Sequence, residues 1–332
     1  SLRRALYRPR PTDPELATPG PLIKALFVYN SNPAASNPDL GKVRAGLANE
    51  DLFTVVLEHF QTDTADYADV VLPATTQLEH WDLHASYGHM YLSLNRPAIA
   101  PVGQALSNAE IFRRLGGRMN LDASLFSTGD EAMLKAYLSA QTSSALASIS
   151  WERLMEEGFA RLDVPTPFMP FAEGDFPTPS GRCELYSETM KTDGYSPTPE
   201  FIAPAWMDEL TEDALVCVSP PAHLFLNSTF VNVDRLRAKT GAPHALMNPT
   251  DAARRSLRDE EEVEVIGSGG RVRMTLRVRD AIVPGTICIE GIHWPKLTAG
   301  GRGVNELTLQ RETDFGGGAT FYDVTVRVQP AD

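Results

Sequence analysis

Four loops rich in asparagine, serine, threonine and aspartate carry the side chains best suited to binding chemistry. They are Asn30-Ser31-Asn32-Pro33, Thr62-Asp63-Thr64-Ala65, the stretch from His223 to Phe230, and Asn248-Pro249-Thr250-Asp251. Backbone N–H groups and small hydroxyls in such loops can bind phosphates, and amides or carboxylates can bind a purine edge. A carboxylate suits guanine because it can accept hydrogen bonds from both N1–H and N2–H. The loops therefore predict a nucleotide site, and helix caps and turns are the alternative interpretation.

Two histidines four residues apart suggest a metal-based alternative. His80 and His84 would share one face if this segment were a helix. A helical zinc-hydrolase motif places glutamate directly after its first histidine as general base. Here Trp81 follows His80, and no third ligand is apparent. Zinc hydrolysis is therefore kept only as an alternative, and we expect no metal to be bound by this chain.

The three cysteines argue against other kinds of site. Cys183, Cys217 and Cys288 are far apart, and none belongs to a CxxC pair. We therefore expect neither a disulfide framework nor a zinc or iron–sulfur site held by four cysteines of this chain. Buried, unreactive thiols and a reducing compartment are expected instead. The sequence also contains no GxGxxG, Walker or GxSxG motif.

The first two polar loops need a sheet to position them, and the surrounding sequence predicts one. Strand-length apolar runs occur at Ile23–Tyr29, Leu52–Leu57 and Ala68–Leu72, with a helix predicted from Pro38 to Ala48. All three runs are expected to be buried. Strand, loop, helix and strand in this order are typical of a parallel α/β sheet. Such sheets bind ligands at the carboxyl ends of their strands, where the polar loops lie.

Helical patterns follow this α/β region. A capping box at Ser107–Glu110 precedes a helix predicted over Ile111–Met119, and a second box at Thr128–Glu131 precedes another. A third helix is predicted over Trp151–Leu162. Frequent prolines and glycines from Pro165 to Pro204 predict an irregular inter-domain connection.

The last third of the chain changes to a β pattern. Glu262–Ile266 and Arg271–Arg279 alternate between apolar and charged residues around a Gly267–Gly270 turn. In a hairpin, the glutamates could face the arginines while the apolar residues share one core. Further strands are predicted at Ile282–Glu290 and Phe321–Val328. This region predicts a β-barrel or sandwich of roughly 120 residues. A polyanion site on the arginines is the alternative to a salt-bridged sheet face.

The composition limits the function classes. The chain has 332 residues and a formal net charge of −13, which argues against a nucleic-acid or membrane-surface protein. No apolar run approaches the roughly 20 residues of a membrane span. The chain begins Ser1-Leu2-Arg3-Arg4, and we expect it to be part of a longer protein.

The polar loops belong to motifs that resemble those of one enzyme superfamily. Val28–Asp39 resembles the "NP…S.PD" loop of the molybdopterin oxidoreductases, the superfamily of dimethyl sulfoxide reductase and formate dehydrogenase. Phe60–Pro73 is similar to its "T.TA..ADVVLP" signature, and Glu79 takes the place of the acidic residue that follows. Thr178–Tyr186 resembles its "TPSGK.EL" bridge, with Arg182 where lysine is usual. Further matches to its dinucleotide-binding domain are Asn248–Ala252, Val283–Gly285, Gly303–Thr308 and Thr313-Asp314.

This resemblance implies a fold and a cofactor. It implies a parallel-sheet α/β cofactor domain over 23–150 and a double-psi β-barrel dinucleotide-binding domain over 210–330. The prolines and few apolar residues of 1–22 predict a linker or tail before them. Residues 151–209 are expected to form a helix and an irregular connection between them. The implied cofactor is molybdopterin guanine dinucleotide, two per active site, with molybdenum or tungsten. Its binding residues would be Asn30, Ser31, Asn32, Thr62, Asp63, Thr64, His223, Asn227, Ser228, Thr229, Asn248, Asp251, Asn305 and Tyr322. Guanine binding is expected at Asp63 or Asp251, and pyrophosphate binding at Asn227–Thr229.

The resemblance also implies what this chain lacks. In the superfamily, an N-terminal half usually carries a 4Fe-4S cluster and the metal ligand, so that half is the expected partner. Electron-transfer subunits are a further candidate partner. The implied function is the C-terminal cofactor-binding portion of a two-electron oxidoreductase acting on a small molecule. A non-catalytic cofactor-binding module is the alternative. A cytoplasmic location is expected, and a periplasmic one stays open because an export signal would precede Ser1. His84, Tyr87 and His89 could face a substrate funnel or form a surface loop.

Overall fold

The computed structural model describes residues 22–313 and 318–331. Its strands are β1 (Ala25–Tyr29), β2 (Phe53–Glu58), β3 (Val70–Pro73), β4 (Asp82–His84), β5 (Tyr91–Asn95), β6 (Phe159–Arg161), β7 (Leu215–Val218), β8 (His244–Met247), β9 (Glu262–Gly267), β10 (Arg271–Val278), β11 (Thr286–Ile289) and β12 (Thr325–Pro330). Its α-helices are α1 (Pro33–Ser36), α2 (Leu40–Leu47), α3 (Asn108–Arg118), α4 (Ala123–Phe126), α5 (Asp130–Ser139), α6 (Trp151–Glu157), α7 (Glu188–Thr192), α8 (Asp234–Thr240) and α9 (Pro249–Arg254). The predicted linker, apart from its last residue, and Asp314 of the last motif lie outside the described residues.

The described chain divides into two compact units. The barrel unit combines residues up to 72 with those from 204 onward, and the middle unit spans 73–203. These limits do not coincide with the predicted domain boundaries at 150 and 209. The reason lies in the segment after residue 150, where β6 pairs with β5 and the Leu154 side chain is fully buried. That segment therefore belongs to a folded core and does more than connect two domains.

The α/β part of the barrel unit has the predicted parallel sheet. β1 pairs with β2 in parallel, from Ala25 opposite Phe53 to Tyr29 opposite Leu57, and the sheet order is β1-β2-β3. Helix α2 lies between the two strands in sequence and buries Leu40, Val43 and Leu47. The helix predicted from Pro38 to Ala48 is confirmed.

Strand β3 differs from its prediction as a buried strand. Val70 and Val71 are 36% and 40% exposed. β3 is the last strand of the sheet order, and an edge strand has a neighbour on one side only. Although β3 consists of apolar residues, its position at the sheet edge therefore leaves these two valines partly exposed.

The C-terminal part of the barrel unit is a closed six-stranded barrel in the order β10-β8-β11-β7-β12-β9. The predicted hairpin is confirmed, because β9 and β10 pair antiparallel with Val265 opposite Val272 and Glu264 opposite Arg273. Because the sheet closes on itself, this region is the barrel and not the sandwich of the two predicted alternatives. Alternate residues fill its interior, among them Val263, Val265, Val272, Leu276, Ile287 and Ile289.

Charged residues on the hairpin pair with one another. Arg271 Nη1 lies 3.4 Å from Glu264 Oε2, Arg279 Nη1 lies 3.3 Å from Asp259 Oδ1, and Arg277 pairs with Glu260. The predicted salt-bridged face is therefore confirmed. These pairs are partly exposed, so each contributes little stability.

The middle unit is a three-stranded antiparallel sheet, β4-β5-β6, with helices α3 to α7 in the same part of the chain. Leu92, Leu94, Trp151, Leu154 and Ala160 form its core. The first predicted capping box is confirmed because Ser107 Oγ accepts a hydrogen bond from the Glu110 backbone.

The second predicted capping box is wrong. Helix α5 begins after Gly129, which has no side chain to cap it. The acidic residue that follows, Asp130, instead accepts hydrogen bonds from Ser107 Oγ and from Arg113. The Asp130 carboxylate therefore makes contacts with Ser107 and Arg113, and no side chain caps the start of α5.

Burial of the thiols matches the sequence expectation only in part. Cys217 faces the barrel interior, and its burial raises the pKa of its thiol to about 12. Cys288 is half-buried and Cys183 is exposed. Separately, none of the helices in the described residues has both the length and the apolar character needed to cross a bilayer.

Replacing Leu276 by alanine should lower the free energy of unfolding by about 2–5 kcal/mol, because it leaves a cavity in the barrel core. The Leu276 side chain is 0% exposed. Chemical denaturation followed by circular dichroism measures the loss. The control is Leu185→Ala, at a position that is 76% exposed, and it should change the value by less than about 0.5 kcal/mol. Equal losses in the two variants would contradict this core assignment.

Candidate functional site

The loops that follow β1 and β2 meet through a buried hydrogen-bond network. Thr64 donates to Asn32 Oδ1 twice, from its backbone N at 3.1 Å and from its Oγ1 at 2.7 Å. The Ala34 backbone N in turn donates to Thr64 Oγ1 at 3.0 Å. The parallel register of β1 and β2 brings both carboxyl ends to one edge of the sheet. The structure therefore brings Asn32 and Thr64 together as the sequence predicts.

Asp63 lies beside this network and is almost fully buried, with an exposed fraction of 4%. Its Oδ1 accepts a hydrogen bond from the Lys296 backbone N at 2.9 Å. Its Oδ2 has no hydrogen-bond partner among the described residues, and neither has Asn32 Nδ2. The Asn32 side chain lowers the pKa of the Asp63 carboxyl by hydrogen bonding, so it lies near that carboxylate, but the two atoms do not reach full hydrogen-bond geometry. One buried acceptor and one buried donor therefore remain without a full hydrogen bond at the end of the sheet, where unsatisfied polar atoms are costly.

Burial dominates the ionisation of Asp63. It raises the pKa of the Asp63 carboxyl above its ordinary value of 3.8. The Lys296 backbone N–H, the Lys296 charge and the Asn32 side chain each lower the pKa and offset part of that rise. The carboxylate is thus held in an environment that penalises its charge, a common property of binding and catalytic groups.

A segment from the barrel supplies the other side of this cluster. Besides the contact of Lys296 with Asp63, Asn305 Nδ2 donates to the Ser36 backbone O at 2.9 Å. Thr308 Oγ1 accepts from the Asp39 backbone N at 2.9 Å, and Arg44 pairs with Glu306 at 2.8 Å. Residues 296–308 therefore lie directly against the loops that follow β1 and β2. Of these residues, the sequence singled out only Asn305 as a binding residue.

The loop from His223 to Phe230 is tight and mostly exposed. Leu226 and Thr229 exchange backbone hydrogen bonds of 3.2 and 2.9 Å, and Asn227 has a positive φ of 53°. Ser228 is half-buried, and its backbone O accepts a 2.7 Å hydrogen bond from Trp294 Nε1. The remaining predicted residues of the loop, and Tyr322 elsewhere in the barrel unit, expose their side chains. Asn30 and Ser31 are exposed as well.

Asn248 and Asp251 already have protein partners. Asn248 caps α9 by accepting from the Thr250 backbone N, and its Nδ2 donates to the Ile282 backbone O at 2.7 Å. Asp251 Oδ2 accepts from the Gly285 backbone N at 2.7 Å, and its Oδ1 lies 3.6 Å from Arg255. The cap-and-turn interpretation therefore describes their contacts, and Asp63 is the better candidate for reading guanine.

The histidine pair does not have the geometry on which a zinc site would depend. The segment is not helical, because His80 precedes β4 and His84 lies on it. His80 Nδ1 is 2.9 Å from Thr75 Oγ1, and His84 Nε2 is 3.3 Å from Asp82 Oδ2. Within the described ranges, no group of three or more histidine, cysteine or acidic residues could hold a metal ion. Tyr87 and His89 lie in the exposed β4–β5 loop.

The middle unit contains a cavity of about 590 Å³ beside Glu79 and His80. Three of its acidic groups have protein partners: Glu79 accepts from the Thr76 and Val102 backbones, Glu110 pairs with Arg113, and Asp130 accepts from Ser107. The unpaired buried atoms described above lie in the barrel unit, which therefore holds the stronger candidate site.

Two family models match the chain. The model described as "Molybdopterin oxidoreductase" matches residues 15–118, and that described as "Molydopterin dinucleotide binding domain" matches residues 215–325. The first covers the loops after β1 and β2, and the second covers the barrel. The matches therefore include both sides of the cluster around Asp63.

Curated relatives match nearly the whole chain. "Probable oxidoreductase YoaE" of Bacillus subtilis is 38% identical over 309 residues, which are 93% of this chain and 44% of that protein. "Dimethyl sulfoxide/trimethylamine N-oxide reductase" of Cereibacter sphaeroides is 27% identical over 300 residues, 82% of this chain and 36% of that protein. The chain thus spans less than half the length of these relatives.

A solved structure shares the fold. "Acetylene Hydratase from Pelobacter acetylenicus" superimposes with a TM-score of 0.75 at 24% identity, covering 93% of this chain and 44% of that one. With the two domain matches and the reductases of the dimethyl sulfoxide reductase family among its relatives, this chain belongs to the molybdopterin oxidoreductase family.

Proposed function

We propose that this chain is the C-terminal cofactor-binding portion of a bis-molybdopterin guanine dinucleotide oxidoreductase of molybdenum or tungsten. The observation that carries the proposal is the pair of buried, unpartnered atoms Asp63 Oδ2 and Asn32 Nδ2. They lie at the carboxyl ends of β1 and β2, the usual ligand position of a parallel sheet. The family match supports the cofactor class.

The leftover atoms fit one edge of guanine. Its N1–H and N2–H donate, which suits Asp63 Oδ2, and its O6 accepts, which suits Asn32 Nδ2. Thr62 and Thr64 hold the loop that carries Asp63 through their hydroxyl groups. Asn30 and Ser31 follow β1 with exposed side chains, and they are proposed to contact the rest of the dinucleotide.

On the barrel, the exposed turn at Asn227–Thr229 is the proposed pyrophosphate contact, with His223 and Tyr322 exposed on the same unit. Asn305 ties the barrel to the loop after β1. Asn248 and Asp251 are proposed to support the barrel rather than to contact the base, because their polar atoms bind Ile282, Gly285 and Arg255.

When bound, the metal–pterin group would supply two-electron redox chemistry, and this chain would bind and orient it. The iron–sulfur cluster and the metal ligand are proposed to belong to an N-terminal half, in keeping with relatives more than twice as long as the matched region. A catalytic role without net electron transfer is the second candidate, since one relative, 28% identical, is named "Acetylene hydratase". Whether the complete protein consumes an electron donor or acceptor during substrate turnover distinguishes the two.

Replacing Asp63 by asparagine should lower guanine-nucleotide affinity about ten- to a hundredfold, because a charge-assisted hydrogen bond contributes roughly 1.5–3 kcal/mol. The chain would be expressed with the coding sequence upstream of Ser1. Molybdenum and tungsten are measured by elemental analysis, and guanine nucleotide by chromatography after acid hydrolysis. The matched control is Asp280→Asn, at an exposed position. Unchanged cofactor content in the Asp63 variant would contradict the assignment.

The same substitution should stabilise the cofactor-free chain at neutral pH. Because the folded-state pKa of Asp63 is raised, the folded chain binds more protons than the unfolded chain just above pH 3.8. Its stability therefore falls as the pH rises through the raised pKa. Asp63→Asn removes this loss. The free energy of unfolding of the variant should therefore exceed that of the unmutated chain by an amount that grows from pH 4 towards pH 7. Denaturation of both chains across this range measures the difference, and a variant less stable at pH 7 would refute the prediction.

A further inference from the structure

Lys296 makes three contacts with the loop that carries Asp63. Its backbone N donates to Asp63 Oδ1 at 2.9 Å, and its Nζ lies 2.9 Å from Asp66 Oδ2. The Nζ also donates to the Gln61 backbone O. The contacts reach residues on both sides of Asp63, and they come from a position 233 residues away in the sequence. Lys296 thus holds the whole turn against the barrel.

The segment that carries Lys296 is itself anchored. Trp294, two residues earlier, is buried, and its Nε1 donates to the Ser228 backbone O at 2.7 Å. The Lys296 ammonium lies 5.7 Å from the centroid of the Trp294 ring, within the range of a cation–π contact. The hydrogen bond between Trp294 and Ser228 therefore anchors the segment independently of the lysine side chain, which adds its own contact with the Trp294 ring.

These contacts leave the Asp63 carboxylate with one used and one unused oxygen. The Lys296 backbone occupies Oδ1, and Oδ2 has no partner among the described residues. We propose that Lys296 is a positioning residue of the cofactor site, which through its backbone N–H and its ammonium group holds the Asp63 loop so that Oδ2 faces the guanine base. This proposal rests on the proposed function and adds a residue to it.

The charges around Asp63 decide the expected effect of the lysine. Lys296 is the cation that lowers the pKa of Asp63, and the Asn32 side chain lowers it as well. Asp66, on the following turn, is a nearby anion that pairs with Lys296. Removing the lysine charge leaves Asp66 without this partner, so the pKa of Asp63 should rise further. Guanine binding needs the ionised carboxylate and is therefore lost as the pH is lowered. Without the lysine charge, this loss should begin at a higher pH.

The test compares Lys296→Gln with Lys296→Arg in the full 332-residue chain. Glutamine removes the charge and keeps the backbone N–H, whereas arginine keeps both. Lys239→Gln, at an exposed position on α8, is the matched control. Binding of GMP is measured by calorimetry from pH 4 to pH 8. The titration of Asp63 is followed by infrared difference spectroscopy of ¹³C-aspartate protein against the Asp63→Asn chain.

Lys296→Gln should move the Asp63 titration and the GMP-binding midpoint to higher pH together. The loss of GMP affinity should be confined to pH values below the raised midpoint and should vanish at pH values well above it. Lys296→Arg and Lys239→Gln should leave both midpoints in place. A uniform loss of affinity with unmoved midpoints would mean a merely structural lysine and would overturn the proposal.

The two proposals can fail separately. If the unmutated chain binds no GMP and the complete protein holds no guanine nucleotide, the proposed function fails. The carboxylate titration still decides the role of Lys296 in that case, because it needs no ligand. An Asp63 titration that Lys296→Gln leaves unchanged overturns the positioning role even if GMP binds.

Discussion

The hydrogen bond between the Lys296 backbone and Asp63 is the contact on which the candidate site depends most. It joins a loop of the α/β sheet to a segment of the barrel, and it satisfies only one oxygen of a carboxylate that is 4% exposed. A buried charge with an unused oxygen is costly for a protein that binds nothing there. The cost becomes reasonable if a ligand completes the hydrogen bonding. The Asp63 carboxylate therefore lowers the stability of the ligand-free chain and favours the binding of a ligand.

The rest of the barrel unit can be understood as support for that contact. The parallel pairing of β1 and β2 brings Asn32 and Thr64 into one network. The closed barrel holds residues 294–308 in place, and Trp294 anchors that segment to the Ser228 loop. Gly269 contributes through its lack of a side chain, since a Cβ there would lie 2.1 Å from the Thr308 backbone O. Close backbone approach of this kind is a common reason for glycine.

Several elements could be predicted from local patterns, and the errors have physical causes. The α2 helix follows from the spacing of its apolar residues, and the β9–β10 hairpin follows from the alternation of apolar and charged residues. The Ser107 cap follows from a side-chain oxygen placed three residues before the amide that it binds. The Thr128–Glu131 capping box failed because the helix begins one residue later than the box requires, after Gly129. The helix predicted over Trp151–Leu162 ends at Glu157, because Phe159–Arg161 pairs with β5 as β6, and apolar spacing cannot reveal such a strand partner.

By itself, the sequence determined the element types, the order of an α/β part and a β part, and the family to which its motifs belong. It also placed Asn32, Asp63 and Thr64 among the candidate residues, since polar residues directly after apolar strands indicate a sheet edge. Only the tertiary structure decided which candidates retain unpaired atoms. It separated Asp63 from Asp251, whose oxygens already bind Gly285 and Arg255, and it revealed Lys296. The physical reason is that hydrogen-bond satisfaction depends on partners up to 233 residues away, which no local pattern specifies.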